Sequence, residues 1–262
     1  MTIAVCCMGQ LEMTKGQWGC LIANTTEKDQ IQLLVVDNNS QDNTQEFLTR
    51  FVFPHFPDHK LIHNTENLGV IKSLDQCYRD SNGDIIIFPH NDLYILEYGW
   101  NRRVLYEFEH DTRLGLSGFL GCEGLSPDGG RWHTLSNLLE AEAHGSRITN
   151  TQEVIGFDGL CLIARREMLN QVGGFDQEYT FHHAYDRDIS LTSYKAGWTN
   201  KVIPIYCHHR SGVTANHPDY GRWIAQKMHV EEGRGDQASY TASMTRFEAK
   251  WKLYLPRRVG ER

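Results

Sequence analysis

Residues able to hold a metal ion or move a proton gather at three places: His90-Asn91-Asp92, Asp186-Arg187-Asp188 and His208-His209. A carboxylate beside an imidazole suits a divalent cation, with Asp92 as the leading hard oxygen ligand. His90, if it coordinates, suits Mn2+ better than Mg2+. An ion there would stabilise negative charge on a departing phosphate. A polar turn closing a strand would carry the same residues, and residue types alone leave both readings open. His208 or His209 could complete the metal sphere with Asp92 or hydrogen-bond a phosphate. In a chain with 13 histidines such pairs also arise by chance, and His182-His183 is a second one. Asp186 and Asp188 would point roughly 200° apart on a helix, which rules them out as one paired couple. Asp186, at a helix N-terminus, suits a base for a hydroxyl or a plain N-cap. Asp188 equally suits a structural partner for Arg or Lys. Asp37 closes an apolar strand, where it would accept hydrogen bonds from a base or ribose or cap the following turn.

These residues need elements to carry them. Ile85-Ile86-Ile87-Phe88 is an unbroken apolar run of the kind buried inside a parallel sheet, and His90-Asn91-Asp92 follows it directly. Ligands of open α/β sheets bind just beyond such carboxyl ends. Thr2 to Cys7, Ile31 to Val36 and Leu61 to Asn64 read as further strands. Helices are predicted over about Thr14–Asn24, Gln45–Phe51 and Val70–Arg79, so the pattern is βαβ with a mostly parallel sheet. Leu93 to Asp111 reads as helical and Leu114 to Leu120 as strand-like. Cys122 to Asn150 has no clear period and reads as a long loop with a short helix near Leu135–Ala143. Glu153 to Ala164 is strand-like, Arg165 to Val172 a helix stopped by Gly173-Gly174, and Asp186 the N-cap of a helix over Arg187–Ala196. Lys201 to Tyr206 is the last predicted strand.

A chain of 262 residues with 40% hydrophobic and 23% charged residues is an ordinary soluble globular composition. Its net charge of -7 argues against nucleic-acid binding by the whole surface. The seven cysteines are odd in number and lack a CxxC, which excludes a disulfide framework or zinc knuckle and fits a cytoplasmic setting. No apolar run reaches membrane-spanning length. After Gly221 nine basic residues stand against five acidic ones, and Phe247, Trp251 and Tyr254 interleave with Lys250 and Lys252. An aromatic helix face packed on the body accounts for that tail best. A peripheral contact with an anionic membrane or a nucleic acid is the other reading.

The order of the motifs says more than any one of them. Asp37-Asn38-Asn39-Ser40 with Asp42 and Thr44, then Asn67-Leu68-Gly69, then Gly83-Asp84 and the strand ending His90-Asn91-Asp92, resembles the nucleotide-binding half of family 2 glycosyltransferases. Gly173-Gly174-Phe175-Asp176, Tyr185-Asp186-Arg187-Asp188 and Gly197-Trp198 resemble that family's acceptor half, and His209-Arg210-Ser211-Gly212 its late metal-binding segment. The resemblance implies a GT-A fold, a Rossmann-like mostly parallel sheet flanked by helices, with a C-terminal helical tail. Residues 1–110 would form the nucleotide-sugar half, 111–220 the acceptor half and 221–262 the tail. It implies an inverting transfer from a nucleotide sugar, a UDP-sugar foremost, to a hydroxyl of a saccharide, a lipid-linked glycan or a modified nucleobase. Asp186 would be the catalytic base. Asp92 with His209 or His208 would bind a divalent metal, Mn2+ before Mg2+. Cys6, Cys7, Asp37, Asn39, Asn67, Gly69, Lys72, His90 and Asn91 would face the donor, and Trp132, Asp158, Gly159 and Asp188 the acceptor. His90 stands where the family carries the first acid of DxD, and Cys6-Cys7-Met8-Gly9 where it often carries a Thr/Ser-Tyr-Asn run. A non-catalytic binding protein on the same fold and a nucleotidyltransferase are the rival classes.

Overall fold

The computed structural model describes residues 1–210 and 218–261. Strand and helix alternate first: β1 (Thr2–Cys7), α1 (Leu11–Asn24), β2 (Gln32–Asp37), α2 (Thr44–Phe47), β3 (Asp58–His63), α3 (Val70–Asp80) and β4 (Ile85–Pro89). Next come β5 (Leu93–Ile95), α4 (Trp100–His110), β6 (Leu114–Gly118), β7 (Leu120–Leu125), β8 (Arg131–Ser136), α5 (Ala141–His144) and β9 (Ser146–Arg147). The rest comprises β10 (Gln152–Glu153), β11 (Gly156–Phe157), β12 (Cys161–Arg165), α6 (Arg166–Val172), α7 (Tyr185–Lys195), β13 (Thr199–Val202), β14 (Cys207–His209), α8 (Pro218–Met228), α9 (Gly235–Trp251) and β15 (Arg257–Arg258).

Eight strands form the main sheet in the order β10-β13-β6-β12-β4-β1-β2-β3. Its β4-β1-β2-β3 half is parallel throughout, and β12 runs antiparallel to both β4 and β6. Both faces are covered, which explains why the strands read as unbroken apolar runs. Along β4, Ile86 and Phe88 join the core beneath α3 with Ile71, Leu74 and Cys77. Ile85 and Ile87 point the other way, into a second core with Trp18 and Leu21 of α1 and Trp100 and Val104 of α4. A central strand held from both sides gives its polar tip a fixed position.

Three sequence expectations need correction. The helical stretch from Leu93 to Asp111 begins instead with β5, which pairs antiparallel with β14 and sets His209 opposite Leu93. The helix starts only at Trp100, behind Gly99 in the left-handed region at φ 73°. The segment read as a long loop from Cys122 to Asn150 is built around sheet, with the short helix α5 after it: β7 and β8 pair antiparallel, β11 and β15 add to β7, and β9 adds to β8. Its glycines obscured the period because partners sit against them; a Cβ on Gly124 would lie 2.8 Å from the Trp132 ring. Finally, α7 begins at Tyr185 with Ala184 as its cap, so Asp186 lies inside the first turn and is not the N-cap.

The tail packs on the body. Met244, Phe247 and Trp251 of α9 are buried in the core beneath α3 and α7. Its basic residues are largely engaged: Arg246 and Lys250 with Asp176, Lys250 with Asp188, Lys227 with Glu66, and Arg258 over the Trp132 ring. Asp188, 2% exposed, is the anchor. It accepts hydrogen bonds from the Tyr179 hydroxyl at 2.9 Å and the Trp251 indole N–H at 2.8 Å, and pairs with Lys250 at 2.8 Å. Burial outweighs these partners and leaves its carboxyl above the ordinary aspartate range. Replacing Asp188 by Ala strands three donors and is expected to cost about 3–5 kcal/mol in urea unfolding. A loss under about 1 kcal/mol, the size of an exposed ion pair, would remove its anchoring role.

Candidate active site

Two cavities meet at the carboxyl end of β4, and His90 and His182 stand in the walls of both. The first, of about 260 Å3, is floored by Cys6 and Cys7 at the end of β1, by Asn38 after β2 and by Asn67 and Gly69 before α3. His90, Asn91, Asp92 and His209 close its inner end, and Tyr220 of α8 covers it. The second, of about 220 Å3, is strongly polar and lined by Arg131, Asp158, Gly159, Tyr185, Asp186 and Arg187, with His183 and Tyr240 at its rim.

The β5–β14 pairing assembles the inner end. It lays His209 beside Asp92, and the Arg210 N–H donates to the Asp92 carbonyl at 3.0 Å. His90, Asp92 and His209 offer ligand atoms within 4.8 Å of one another. His209 Nε2 lies 3.2 Å from Asp92 Oδ1, yet it is buried with no aligned hydrogen-bond partner among the described residues. A buried, misaligned nitrogen beside a carboxylate and a second imidazole fits a divalent ion that both would coordinate. Burial pushes the Asp92 carboxyl up, but His209 and His90 outweigh it and hold the group below its ordinary range. For His209, burial is likewise outweighed by Asp92, so the imidazole is raised. His90 is lowered, chiefly by burial. His208 is not part of this group. Successive residues of β14 face opposite sides, and His208 Nδ1 pairs with Glu140.

On the far side, Arg131 bridges two carboxylates, reaching Asp158 at 2.9 Å and Asp186 at 2.8 Å. Burial works against its charge, but Asp158 and Asp186 hold it firmly protonated. In return Arg131 keeps the Asp158 carboxyl below its ordinary range in spite of burial. The same oxygen of Asp186 accepts the Gly159 N–H at 3.1 Å, and its other oxygen accepts the Arg187 N–H at 2.8 Å. Tyr185 joins the halves through a 2.9 Å hydrogen bond between its hydroxyl and His90 Nε2. Gly159 is required for that joint, because a Cβ there would lie 2.2 Å from the Tyr185 hydroxyl. Gly159→Ala is expected to displace Tyr185 at a cost of about 1–3 kcal/mol, read by thermal unfolding. A variant as stable as the wild type would mean that the tyrosine is free to move.

Of the residues named from sequence, Cys6, Cys7, Asn67, Gly69, His90, Asn91, Asp92 and His209 line the first cavity, and Asp158, Gly159 and Asp186 the second. Five lie elsewhere. Asp37 is buried beneath the floor, its oxygens accepting from Ser40, from Gln45 at 2.5 Å and from His63 at 3.1 Å, so Asn38 faces the cavity instead. Asn39 occupies the turn in the left-handed region at φ 65°. Lys72 is exposed on α3, Trp132 lies on β8 under Arg258, and Asp188 anchors α9. Ser211 and Gly212 lie outside the described residues. Reading from sequence missed Arg131, Asn38 and the role of Tyr185. Arg131 had no local signal, since only the β7–β8 register, with Arg131 opposite Leu125, turns it inward.

Comparison with known proteins bears on the family and the fold. The N-acetylglucosaminyl-diphospho-decaprenol L-rhamnosyltransferase of Mycobacterium tuberculosis is 35% identical over 223 residues, which covers 72% of this chain and 69% of that protein. Among solved structures, the mannosyltransferase PcManGT from Pyrobaculum calidifontis, in complex with GDP-Man and Mn2+, superposes with a TM-score of 0.60 at 15% identity, over 98% of this chain and 76% of that one. GalNAc-T7 with UDP, GalNAc and Mn2+ gives 0.65 at 12% identity, over 96% and 55%. S. aureus TarS 1-349 with UDP-GlcNAc gives 0.59 at 15%, over 97% and 72%. The fold is GT-A, as the motifs implied. The family description "Glycosyl transferase family 2" matches residues 11–173, and with the close curated relative it establishes that this chain belongs to glycosyl transferase family 2.

Proposed function

We propose that the chain transfers a sugar from a nucleoside diphosphate sugar to a hydroxyl acceptor by single displacement with inversion, and that the acceptor is a lipid-linked saccharide. The observation that carries this reading is the placement of His90: one residue walls both cavities, with metal-type ligands on one side and Asp186 on the other. The nucleotide would lie over Cys6, Cys7, Asn38, Asn67 and Gly69, with its diphosphate toward Asp92. His90, Asp92 and His209 would hold a divalent ion, whose chemistry is to neutralise charge on the departing diphosphate. Two imidazoles among three donors favour Mn2+ over Mg2+.

Asp186 would take the proton of the acceptor hydroxyl as its oxygen bonds to the anomeric carbon and the bond to the diphosphate breaks. Arg131 and the Gly159 N–H fix that carboxylate, and Asp158, sharing Arg131, orients an acceptor hydroxyl. In this reading residues 1–110 serve the donor, 111–220 the acceptor, and 221–262 brace the acceptor side. No helix among the described residues is long and apolar enough to cross a membrane.

The test is a thermal-shift screen of nucleotide sugars with Mn2+, UDP-sugars first, followed by product analysis with lipid-linked acceptors. A true donor raises the melting temperature by mass action, and transfer releases a nucleoside diphosphate. Release of pyrophosphate would point to a nucleotidyltransferase, and binding without turnover to a non-catalytic protein.

A further inference from the structure

His182 and His183 looked like a chance pair in the sequence, but their side chains converge on one point. Neighbouring residues ordinarily diverge. Here Phe181 and Ala184, on either side, both take left-handed backbone at φ 49° and 63°. For non-glycine residues that conformation is strained, and such strain concentrates where function requires it. The result is two imidazoles with ring centres 3.8 Å apart. Both aim Nε2 at the same oxygen of Asp236, in the first turn of α9, at 3.2 and 3.0 Å. The three ligand atoms lie within 4.8 Å of one another. Asp236 is half-exposed, which gives an ion a path from solvent.

The geometry points to a second metal site at this position, distinct from His90, Asp92 and His209, which takes a transition-metal ion of the Zn2+ or Co2+ type. One imidazole would suffice for a simple tie between this loop and α9; two aimed at a single oxygen form a His2Asp ligand set with a position left open. A partner that a ligating histidine needs is also present. The Tyr220 hydroxyl lies 2.6 Å from His182 Nδ1, where it accepts the Nδ1–H and leaves Nε2 free for the ion. An ion here would clamp α9 to the loop that leads through Ala184 into Tyr185 and Asp186, so that metal occupancy governs how firmly the tail holds that wall of the cleft.

Equilibrium dialysis of the metal-stripped full chain against Co2+, with the visible absorption of the bound ion as second readout, tests this. The wild type is expected to hold two ions per chain and to show the intense absorption of a low-coordinate His2Asp site. His183→Gln and Asp236→Ala should each hold one, with the affinity of the lost site down at least tenfold. Asp92→Ala should also hold one, and Asp92→Ala combined with His183→Gln should hold none and show no absorption of bound ion. Circular dichroism checks that each variant is folded, and His183→Gln retains the Asp236–His182 pair should Asp236→Ala loosen α9. Two ions retained by both His183→Gln and Asp236→Ala, or a wild type holding a single ion that Asp92→Ala loses, would overturn the second site. Failure at Asp92 alone would count only against the donor-site reading.

Discussion

Asp186→Asn is expected to lower sugar transfer about 10²–10⁴-fold, the usual contribution of a positioned general base, while donor binding stays as in the wild type. Asparagine keeps the shape and can still accept the Gly159 N–H, and Arg131 keeps its partner Asp158. What it loses is the capacity to take a proton. The donor cavity does not include Asp186, so nucleotide affinity measured by calorimetry separates a chemical defect from a folding defect. Unchanged transfer would remove Asp186 as the base. An equal fall in transfer and donor affinity would mean that the carboxylate holds the cleft together and does no chemistry.

Asp92→Ala is expected to reduce turnover about 10²-fold or more, as removing a single stabiliser of developing charge does, and to make the residue insensitive to chelation. Asp92 is the one carboxylate of its ligand group, so without it two imidazoles remain. Wild type in EDTA should fall to the level of the variant, and Mn2+ should restore the wild type alone. A wild type equally active in EDTA would contradict the metal role. The variant should not be severely unstable, because the His209 contact it removes is misaligned as a hydrogen bond.

The donor side was legible in the sequence because it is built from local pieces. Ile85 to Phe88 reads as a buried strand, and whatever follows such a strand in an open sheet stands at the ligand edge, so Asp92 could be named without a partner. His209 was reachable only through an ordered likeness, since its position depends on β14 pairing with a three-residue strand that reads as helix. Arg131 was beyond reach. Its inward direction comes from a hairpin register set by glycines and by strands that arrive much later in the chain. Asp37 failed for the opposite reason. Its strand was correctly read, but the side chain turned down to brace the loop through Ser40, Gln45 and His63, a choice that residue type does not reveal. Asp188 likewise announced a charge without saying that Lys250 and Trp251 would claim it.

The pairing of β15 with β7 sets Arg257 opposite Leu125, two residues that a free chain brings together only at a large entropic cost. A two-residue ladder repays little of that. Once Trp251 is seated against Asp188, however, only residues 252–256 remain to be closed, and the cost becomes that of a short turn. The sheet that carries Arg131 thus gains its β15 edge through a helix that joins none of its hydrogen-bond ladders, and the cleft wall draws part of its order from a lysine and a tryptophan of α9 that hold Asp188.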